Sequence, residues 1–413
     1  MTETTPGDRR FGLLWAGETI SQFGDRVSEL ALPLIAVVTL AATPTQVGLL
    51  TAAVWAPNLL GLLAGSWTDR RPHRKPILVG ADLLRAAVLL SLPVAHWFGV
   101  VTLGQLFAVG LLAGGGQVLF MSAYQSFFVS LVDRDRYVEA NSKLSVSRSA
   151  SFVAGPAIGG YLIQLLTAPV AVLADAASFL ASALLIGRIR TAPVPVAGSS
   201  SLLADARAGL RYVLSHRYLR PALACVTTLN FFTFAAQALL VLFASRTLGL
   251  PGGLIGLAFG IGAIGGLLGA VATPRLSRRY GVGRVLVAGA ILFPAPTAAL
   301  TLAHGPHWLA ATTIGLAEAV SAAGVMLFDI NLNAVQTAVT ADRMRSRVSG
   351  AFSTVNYGSR PLGAIAGGVL GSTLGVRPTL LIAGVGGALC CLWLLRSPIP
   401  HIREVNDKLA LAA

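Results

Sequence analysis

Charged residues are scarce in this sequence. Asp, Glu, Lys and Arg make up 12% of its 413 residues, well below the roughly 25% of an ordinary soluble domain. Hydrophobic residues make up 54%, and long uncharged runs such as 254–272 and 285–302 recur along the chain. A helix needs roughly 20 mainly apolar residues to cross a bilayer. About twelve segments meet this need, so we predict an all-α membrane protein with about 12 transmembrane helices.

Signatures of catalysis and of metal binding are also missing. None of the three lysines, Lys75, Lys143 and Lys408, follows a glycine, which excludes the phosphate-binding G-K-[ST] motif. No His precedes Glu and no G-x-S-x-G occurs, which excludes the H-E-x-x-H zinc motif and the hydrolase elbow. The three cysteines lie in predicted spans without ligand spacing. We therefore predict no enzyme, no metal and no cofactor, and an energy source other than ATP.

The sequence repeats itself at about half its length. Residues 116–120 read GQVLF and residues 324–328 read GVMLF, an offset of 208. A set of glycines in the fifth predicted span recurs in the eleventh span with the same offset. Two similar membrane-embedded halves around a central site are typical of transporters. The repeat therefore predicts a transporter built from two pseudo-symmetric six-helix halves.

The predicted halves cover residues 1–190 and 218–396. A cytoplasmic linker at 191–217 joins them, and a cytoplasmic tail at 397–413 follows. Residues 202–217 place apolar side chains on one helical face. This pattern predicts an amphipathic helix that lies on the inner membrane surface or, as the alternative, is solvated.

Positive charge is unevenly distributed between the predicted loops. Of the 31 lysines and arginines, 25 fall in segments that would share one side of the membrane, whereas only Arg246 and Arg377 fall on the other side. This bias predicts that both termini are cytoplasmic. The net charge of +14 thus indicates topology and contact with anionic lipid rather than nucleic acid. We expect a multi-pass monomer in a bacterial cytoplasmic membrane.

The first predicted span is unusually polar. Glu18, Gln22, Asp25 and Glu29 occur at i, i+4, i+7 and i+11, which places them on one helical stripe that must face the protein interior. Repulsion between Asp25 and Glu29 favours proton uptake by one of them, so both are candidates for proton coupling. Alternatively, Arg26 or an arginine of another span holds these acids in a structural network.

Other charges lie within predicted spans. Glu318 has no charged neighbour in sequence and is the third candidate for proton coupling. Arg148 and Arg360 flank the repeated glycines, where they could act as counter-charges or bind an anionic substrate. Asp82 and Arg85, at i and i+3, are more typical of a structural pair.

Uncharged polar side chains within the spans are candidates for lining a central substrate cavity. Gln125 and Asn333 are 208 residues apart, which supports equivalent positions in the two halves. The complete set of cavity candidates is Gln22, Gln125, Asn230, Asn333 and Arg148.

Residues 65–75 read GSWTDRRPHRK and resemble the G-x-x-x-D-R-x-G-R-[RK] loop of the major facilitator superfamily. Pro72 replaces the usual glycine and His73 the following arginine. The matching positions are Gly65, Asp69, Arg70 and Arg74. The resemblance implies a gating loop whose acid, Asp69, caps the eleventh span or pairs with Arg347.

Residues 155–160 read GPAIGG and match the G-P-x-x-G-G motif of the drug:proton antiporter branch. Residues 363–368, GAIAGG, are the degenerate second copy. Small residues of this kind allow close helix packing. The residues of this helix-packing motif are Gly155, Pro156, Gly159, Gly160, Gly363, Gly367 and Gly368. The strings SQFGD at 21–25 and DLLRA at 82–86 are similar to the macrolide-efflux and enterobactin-exporter subgroup.

These resemblances imply a secondary active transporter that works by alternating access. We expect proton-coupled efflux of a small amphipathic drug or secondary metabolite, with protons and the lipid bilayer as the other partners and no nucleic acid. An importer or facilitator on the same fold is the alternative. A non-transporting membrane sensor is a remote third possibility that the short predicted loops disfavour.

Overall fold

A computed structural model describes residues 6–190, 202–341 and 344–404. Helices account for nearly all of this part of the chain, and no strand occurs in it. The first helices are α1 (Pro6–Leu34), α2 (Pro44–Trp55), α3 (Gly61–Asp69), α4 (Lys75–Trp97), α5 (Leu103–Leu131), α6 (Tyr137–Leu166), α7 (Ala168–Gly187) and α8 (Leu202–Ser215). They are followed by α9 (Leu219–Leu242), α10 (Gly252–Tyr280), α11 (Val282–Leu292), α12 (Ala295–Ala299), α13 (His307–Val339), α14 (Arg345–Thr373), α15 (Val376–Ala388) and α16 (Cys391–Leu395).

One compact unit consists, among the described residues, of 6–42, 53–190 and 251–256. Helix α1 packs against α6 and α7, and α4 packs against α5 and α7. An aromatic column along α5 forms part of its core, since the Tyr124 ring stacks between those of Phe120 and Phe128, with centroid distances of 5.9 and 6.4 Å. The first unit therefore surrounds the polar stripe of α1 with helices α4 to α7.

The second compact unit consists of 43–52, 202–250 and 257–404 among the described residues. Helix α9 packs against α14 and α15, and α11 packs against α13. Its core contains the fully buried side chains of Leu286 and Val335 together with Phe328. The first nine residues of α2 belong to this unit and the first residues of α10 to the other one. The predicted boundaries of the two halves stay a prediction.

Ten stretches of the described chain are long and apolar enough to cross a membrane. Helices α1 and α14, with 29 residues each, are as long as several of these but carry more polar and charged side chains. A helix of 29 residues is about 43 Å long, which exceeds the roughly 30 Å of a hydrocarbon core. Large apolar side chains such as Leu268 and Val271 are more than 60% exposed, as expected for helices that face lipid. All twelve stretches thus fit the predicted all-α membrane fold.

The sequence repeat has a counterpart in local structure. Helix α1 continues into one π-helical turn, Ile35–Thr39, and α9 continues into another, Phe243–Thr247. The two turns begin 208 residues apart, and each ends with an amide that donates to the first carbonyl of the turn at 3.0 or 3.1 Å. A π-helical turn is rare, so its recurrence at the repeat offset supports a common origin of the two segments.

The residue before α7 has a strained backbone. Thr167 has φ 73° and ψ 156°, a region that glycine occupies readily and β-branched residues avoid. Its repeat mate before α15 is Gly375, with φ 92° and ψ 161°. We expect Thr167→Gly to stabilise the first unit by about 1 kcal/mol, because the substitution removes strain worth about 1–3 kcal/mol, which the greater unfolded-state entropy of glycine offsets only in part. Thermal unfolding in detergent checks this; a lower Tm than that of the wild type would contradict it.

Helix α8, predicted to lie on the inner membrane surface or to be solvated, packs one of its faces on protein. It contacts α14 and α9, and the Val213 side chain is fully buried in the core of the second unit. A side chain at Gly209 would overlap the Arg347 carbonyl oxygen, so glycine is required for this contact. Residues 191–201 of the predicted linker lie outside the described residues.

His216 joins α8 to the start of α9. Its Nδ1 accepts hydrogen bonds from the amides of Tyr218 and Leu219 at 3.3 and 3.4 Å. These amides lie at the start of α9, where the backbone N–H groups have no hydrogen-bond acceptor within the helix. Burial lowers the pKa of His216 below its ordinary value of 6.5, which keeps the ring neutral and able to accept.

The beginning of the predicted tail also packs on the second unit. The amide of Gly283 donates to the Ile402 carbonyl at 2.9 Å, and Ile399 and Ile402 are buried. Residues 405–413 of the predicted tail lie outside the described residues.

Candidate functional site

The first part of the polar stripe of α1 faces the interior of the first unit. Glu18 and Gln22 are 4% and 9% exposed, although both lie in a helix of membrane-spanning length. Gln22 Nε2 donates to Glu18 Oε1 at 2.9 Å. The i, i+4 spacing on which the predicted stripe rests therefore brings these two side chains into direct contact.

Asp25 forms an ion pair with an arginine of another span. Arg85 Nη2 on α4 donates to Asp25 Oδ1 in a short hydrogen bond. Arg85 Nη1 lies 3.9 Å from Asp82 Oδ1, and the guanidinium lies over the Phe179 ring of α7, 3.7 Å from its centroid. The i, i+3 pair of Asp82 and Arg85 is thus the looser of the two contacts. The main partner of Arg85 is the acid on α1.

A third carboxylate, Asp175 on α7, lies in the same region and is 1% exposed. Ser178 Oγ contacts it at 3.2 Å from Oδ1 and donates to its backbone carbonyl at 2.7 Å. On α1, a Cβ at Gly24 would lie 2.5 Å from Asp175 Oδ1 and would overlap Ser178 Oγ. The glycine therefore lets α1 approach these polar groups of α7 closely.

Glu29, the other predicted proton carrier on α1, pairs with Arg26. Arg26 Nη1 donates to Glu29 Oε2 at 2.6 Å, and the two side chains are 26% and 59% exposed. The guanidinium also lies 5.6 Å from the centroid of the Phe152 ring on α6. Both forms of the structural alternative therefore occur, since Arg26 holds Glu29 and an arginine from another span holds Asp25. Glu29 is exposed rather than turned to the interior as the stripe predicts, and proton coupling by these acids stays a prediction.

Helix α6 contributes hydroxyl and cationic groups to α1. Ser147 Oγ accepts from Trp15 Nε1 and from Thr19 Oγ1, both at 2.8 Å. Arg148, a predicted cavity residue, is exposed and lies near enough to Glu18 for their charges to interact. The first unit thus brings together Gln22, Asp25 and Arg148 among the predicted site residues.

Glu318 lies on α13 against a glycine of α10. A Cβ at Gly262 would lie 2.6 Å from the Cβ of Glu318. The Glu318 side chain is half-buried, and within the described part of the chain it has neither a hydrogen bond nor an ion pair. Glu318 therefore lacks a charged partner in the neighbouring sequence and, among the described residues, also in space.

The remaining candidates of the second unit lie on α9, α13 and α14. Arg360 lies over the rings of Phe234 and Tyr357, at 5.0 and 4.6 Å, and its charge interacts with that of Asp329. Asn230 donates to the Val226 carbonyl of its own helix at 3.0 Å. Asn333 is exposed on α13, as is its repeat mate Gln125 on α5 of the first unit. Their role in a substrate cavity stays a prediction.

The loop that resembles the gating motif is held together within the first unit. Arg74 Nη2 lies 3.1 Å from the Asp69 carbonyl oxygen and 3.6 Å from Oδ1, and the Arg74 side chain is 3% exposed. Arg70 and Asp69 are exposed at the end of α3, and Gly65 has open space around it. Because Arg347 belongs to the second unit, its pairing with Asp69 stays a prediction.

The repeated glycines lie where helices approach closely. A Cβ at Gly155 would overlap the Arg26 side chain, and one at Gly159 would lie 3.1 Å from the Val27 Cα. Gly160 similarly faces Gly256 of α10, since a Cβ at Gly160 would lie 2.9 Å from the Gly256 Cα.

The second copy is arranged in the same way. Gly363 and Gly367 face the α9 backbone at Phe231 and Ala235. Gly368 faces Gly48 of α2, since a Cβ at Gly368 would lie 3.1 Å from the Gly48 Cα. The remaining residue of the motif, Pro156, lies next to α10, since a Cβ at Gly256 would overlap its carbonyl oxygen.

Comparison with known proteins agrees with this architecture. Residues 7–411 match the family described as transmembrane secretion effector. The chain is 28% identical to an uncharacterized MFS-type transporter, y4rN, of Sinorhizobium fredii, with 94% of each chain covered. It is 25% identical to the multidrug efflux pump Tap of Mycobacterium tuberculosis, with 93% of this chain and 91% of Tap covered.

Two solved transporter structures share the fold. The nucleoside transporter NupG (D323A mutant) matches with a TM-score of 0.74 and 13% identity, over 94% of this chain and 98% of that one. A bacterial homologue of the iron transporter ferroportin in the inward-facing state matches with a TM-score of 0.73 and 19% identity, with the same coverage. The predicted fold class is confirmed, and the protein belongs to the transmembrane secretion effector family of major facilitator transporters.

Proposed function

We propose that this membrane transporter exports a small amphipathic molecule in exchange for protons, by alternating access. The observation that carries the proposal is the ion pair between Asp25 and Arg85 inside the spans α1 and α4. A central intramembrane charge costs about 2.5–3.5 kcal/mol on insertion scales, so such groups usually serve transport or proton relay. The Asp25 side chain is 27% exposed, whereas that of Arg85 is 7% exposed. Asp25 is therefore the member of the ion pair that can release its partner and bind a proton.

Similarity to other proteins supports outward transport. The family description refers to secretion, and Tap, at 25% identity, is a multidrug efflux pump. The positive charges of the alternate loops support cytoplasmic termini in a bacterial cytoplasmic membrane. With this orientation, a proton that enters from outside would favour release of the exported molecule outward.

Inverted membrane vesicles with an imposed acid-inside pH gradient test the proposal. A pH-sensitive dye follows the gradient while lipophilic drugs and siderophore-like metabolites are added one at a time. We expect particular compounds to collapse the gradient, because their entry into the vesicle is coupled to proton exit. Substrate flux without any effect on the gradient would identify a facilitator and overturn the proposal.

The same vesicles distinguish the candidate acids. We expect Asp25→Asn to abolish compound-driven collapse, whereas Glu29→Gln should change its rate little, since Glu29 pairs with Arg26 of its own helix rather than with another span. Glu139→Gln is the matched control, because Glu139 is an exposed acid of α6 that pairs with Lys143 at 2.7 Å. Collapse that survives Asp25→Asn but not Glu318→Gln would move the proton path to the second unit.

A further inference from the structure

Two carboxylates contact one guanidinium in the first unit, and a third lies close by. Arg85 donates to Asp25 and lies 3.9 Å from Asp82, while the charge of Asp175 interacts with those of both Arg85 and Asp25. Asp82 and Asp175 are each 1% exposed. Neither oxygen of the Asp82 carboxylate has a hydrogen-bond partner among the described residues. Two of the three acids are therefore sealed from solvent, and Asp82 is aimed at Arg85 without being fully paired.

The surroundings of Asp82 contain little positive charge. Besides Arg85, the groups near it are the hydroxyl of Ser182 on α7 and the acids Glu18 and Asp25 on α1. Helix α5 presents a glycine to Arg85, since a Cβ at Gly116 would lie 2.6 Å from the Arg85 Cγ. The neighbouring acids thus disfavour a negative charge on Asp82.

The surroundings of Asp175 are similar. Ser28 of α1 and Ser178 of α7 present hydroxyl groups to it, and Asp25 and Arg85 are the charged groups nearby. Arg26 of α1 pairs with Glu29. Arg148 of α6 is exposed and, among the described residues, forms no ion pair with these acids. Arg85 is therefore the cation that contacts the cluster.

The charges of the cluster indicate its resting protonation state. One guanidinium balances one carboxylate, and in this structure Arg85 pairs with the carboxylate of Asp25. An unpaired carboxylate in a buried site takes up a proton rather than remaining ionised. Resting on the proton-coupled function proposed above, we propose that Asp82 and Asp175 store the coupling protons and that Asp25 takes up each incoming proton from solvent.

The exchange conserves charge within the cluster. A proton that enters at Asp25 neutralises its carboxylate and breaks the ion pair with Arg85. The guanidinium then turns to Asp82 or Asp175, whose O–H bond breaks as the proton leaves for water on the other side. One proton enters and one leaves, so a single positive and a single negative charge remain throughout.

A metal ion does not fit the same site. Within the described residues, no three Asp, Glu, His or Cys side chains converge closely enough to hold one. A divalent cation takes about six oxygen ligands, and Arg85 would repel it at this position. Protons therefore fit the cluster, and metal ions do not.

Infrared spectroscopy of the reconstituted wild-type protein tests the stored protons directly. Protein labelled with ¹³C at the aspartate carboxyl carbon should show, at neutral pH and without substrate, a carbonyl band of protonated carboxyl groups that shifts with the label. Protonated glutamates do not shift with this label. A spectrum in which no protonated aspartate is present at neutral pH would overturn the proposal without recourse to any variant.

Variants locate these protons and test their use. Asp82→Asn and Asp175→Asn should each remove part of the labelled band and slow compound-driven collapse of a pH gradient by about tenfold or more, as expected for loss of a proton-transfer group. Downhill exchange of substrate should persist, which separates this effect from misfolding. Glu139→Gln should leave both readouts unchanged. A full labelled band in both aspartate variants would overturn the assignment.

The two proposals can fail separately. If no compound collapses the gradient in the wild-type protein, the proposed function fails, and the infrared band still reports whether Asp82 and Asp175 are protonated. If compounds collapse the gradient equally well in the wild type and in both aspartate variants, the proposed function stands and the storage sites are wrong.

Discussion

Replacement of Arg85 by methionine is expected to abolish compound-driven proton movement and to destabilise the first unit. Methionine has a similar length and no charge, so the change removes the cation that pairs with Asp25 and lies beside Asp82. Removal of one partner from a buried ion pair costs about 3–5 kcal/mol when the other charge stays in place. The cluster can avoid part of this cost only by taking up a further proton, which leaves Asp25 without a partner to exchange.

Thermal unfolding over a range of pH measures this effect. The Arg85→Met protein should have a Tm lower than that of the wild type by several degrees near neutral pH, and the difference should shrink as the pH falls and the carboxylates become neutral. Arg136→Met is the control, because the Arg136–Glu139 pair is exposed, with side-chain exposures of 38% and 53%. Exposed pairs contribute roughly 0–1 kcal/mol. Equal Tm values for Arg85→Met and the wild type would contradict the role of Arg85.

Gly367→Leu is expected to disrupt the packing of α14 on α9. A Cβ at Gly367 would overlap the Ala235 carbonyl oxygen and would lie 2.6 Å from the Ala235 Cα. Both are backbone atoms, which cannot move aside as the end of a flexible side chain can. Inserting extra methylenes into a packed interior costs about 1–3 kcal/mol, and a whole leucine side chain at a backbone contact exceeds this range. We therefore expect little folded protein in the membrane and no transport.

Gly350→Leu on the same helix is the matched control. A Cβ at Gly350 meets nothing within 4 Å, so the new side chain finds open space. Leucine is also a better helix former than glycine by nearly 1 kcal/mol. The yield of folded protein and the Tm, measured by fluorescence-detected gel filtration and thermal unfolding, should be close to wild type for Gly350→Leu and strongly reduced for Gly367→Leu. Similar values for the two variants would contradict the close-packing account.

The fold was accessible from the sequence because its strongest signals are local. Apolar runs of span length predict the helices, and the 208-residue offset predicts a second copy that the π-helical turns at Ile35 and Phe243 reproduce. The glycines of 155–160 and 363–368 predict close packing because only small residues allow it. In each case the physical cause lies in the residues that carry the pattern.

The candidate site was accessible only in part. The stripe of α1 follows from i, i+4 spacing, and its contact between Glu18 and Gln22 is local. The partner of Asp25 is not local, since Arg85 lies 60 residues further along the chain, whereas Arg26 is adjacent in sequence. The position of Asp175 beside α1 was not accessible, because nothing in its own helix indicates that Gly24 brings α1 against it. Such partnerships depend on tertiary packing, which spacing along one helix does not encode.

Uphill transport by the purified protein shows whether export is coupled to protons. Liposomes that contain the protein and a compound identified in the vesicle assay at equal concentration on both sides receive an imposed pH gradient. We expect the compound to accumulate on the acidic side against its own gradient, and to redistribute when an ionophore dissipates the pH difference. Accumulation should fail in Asp25→Asn. Equal concentrations on both sides despite a maintained pH gradient, in liposomes where labelled compound still exchanges, would contradict proton coupling and identify a facilitator.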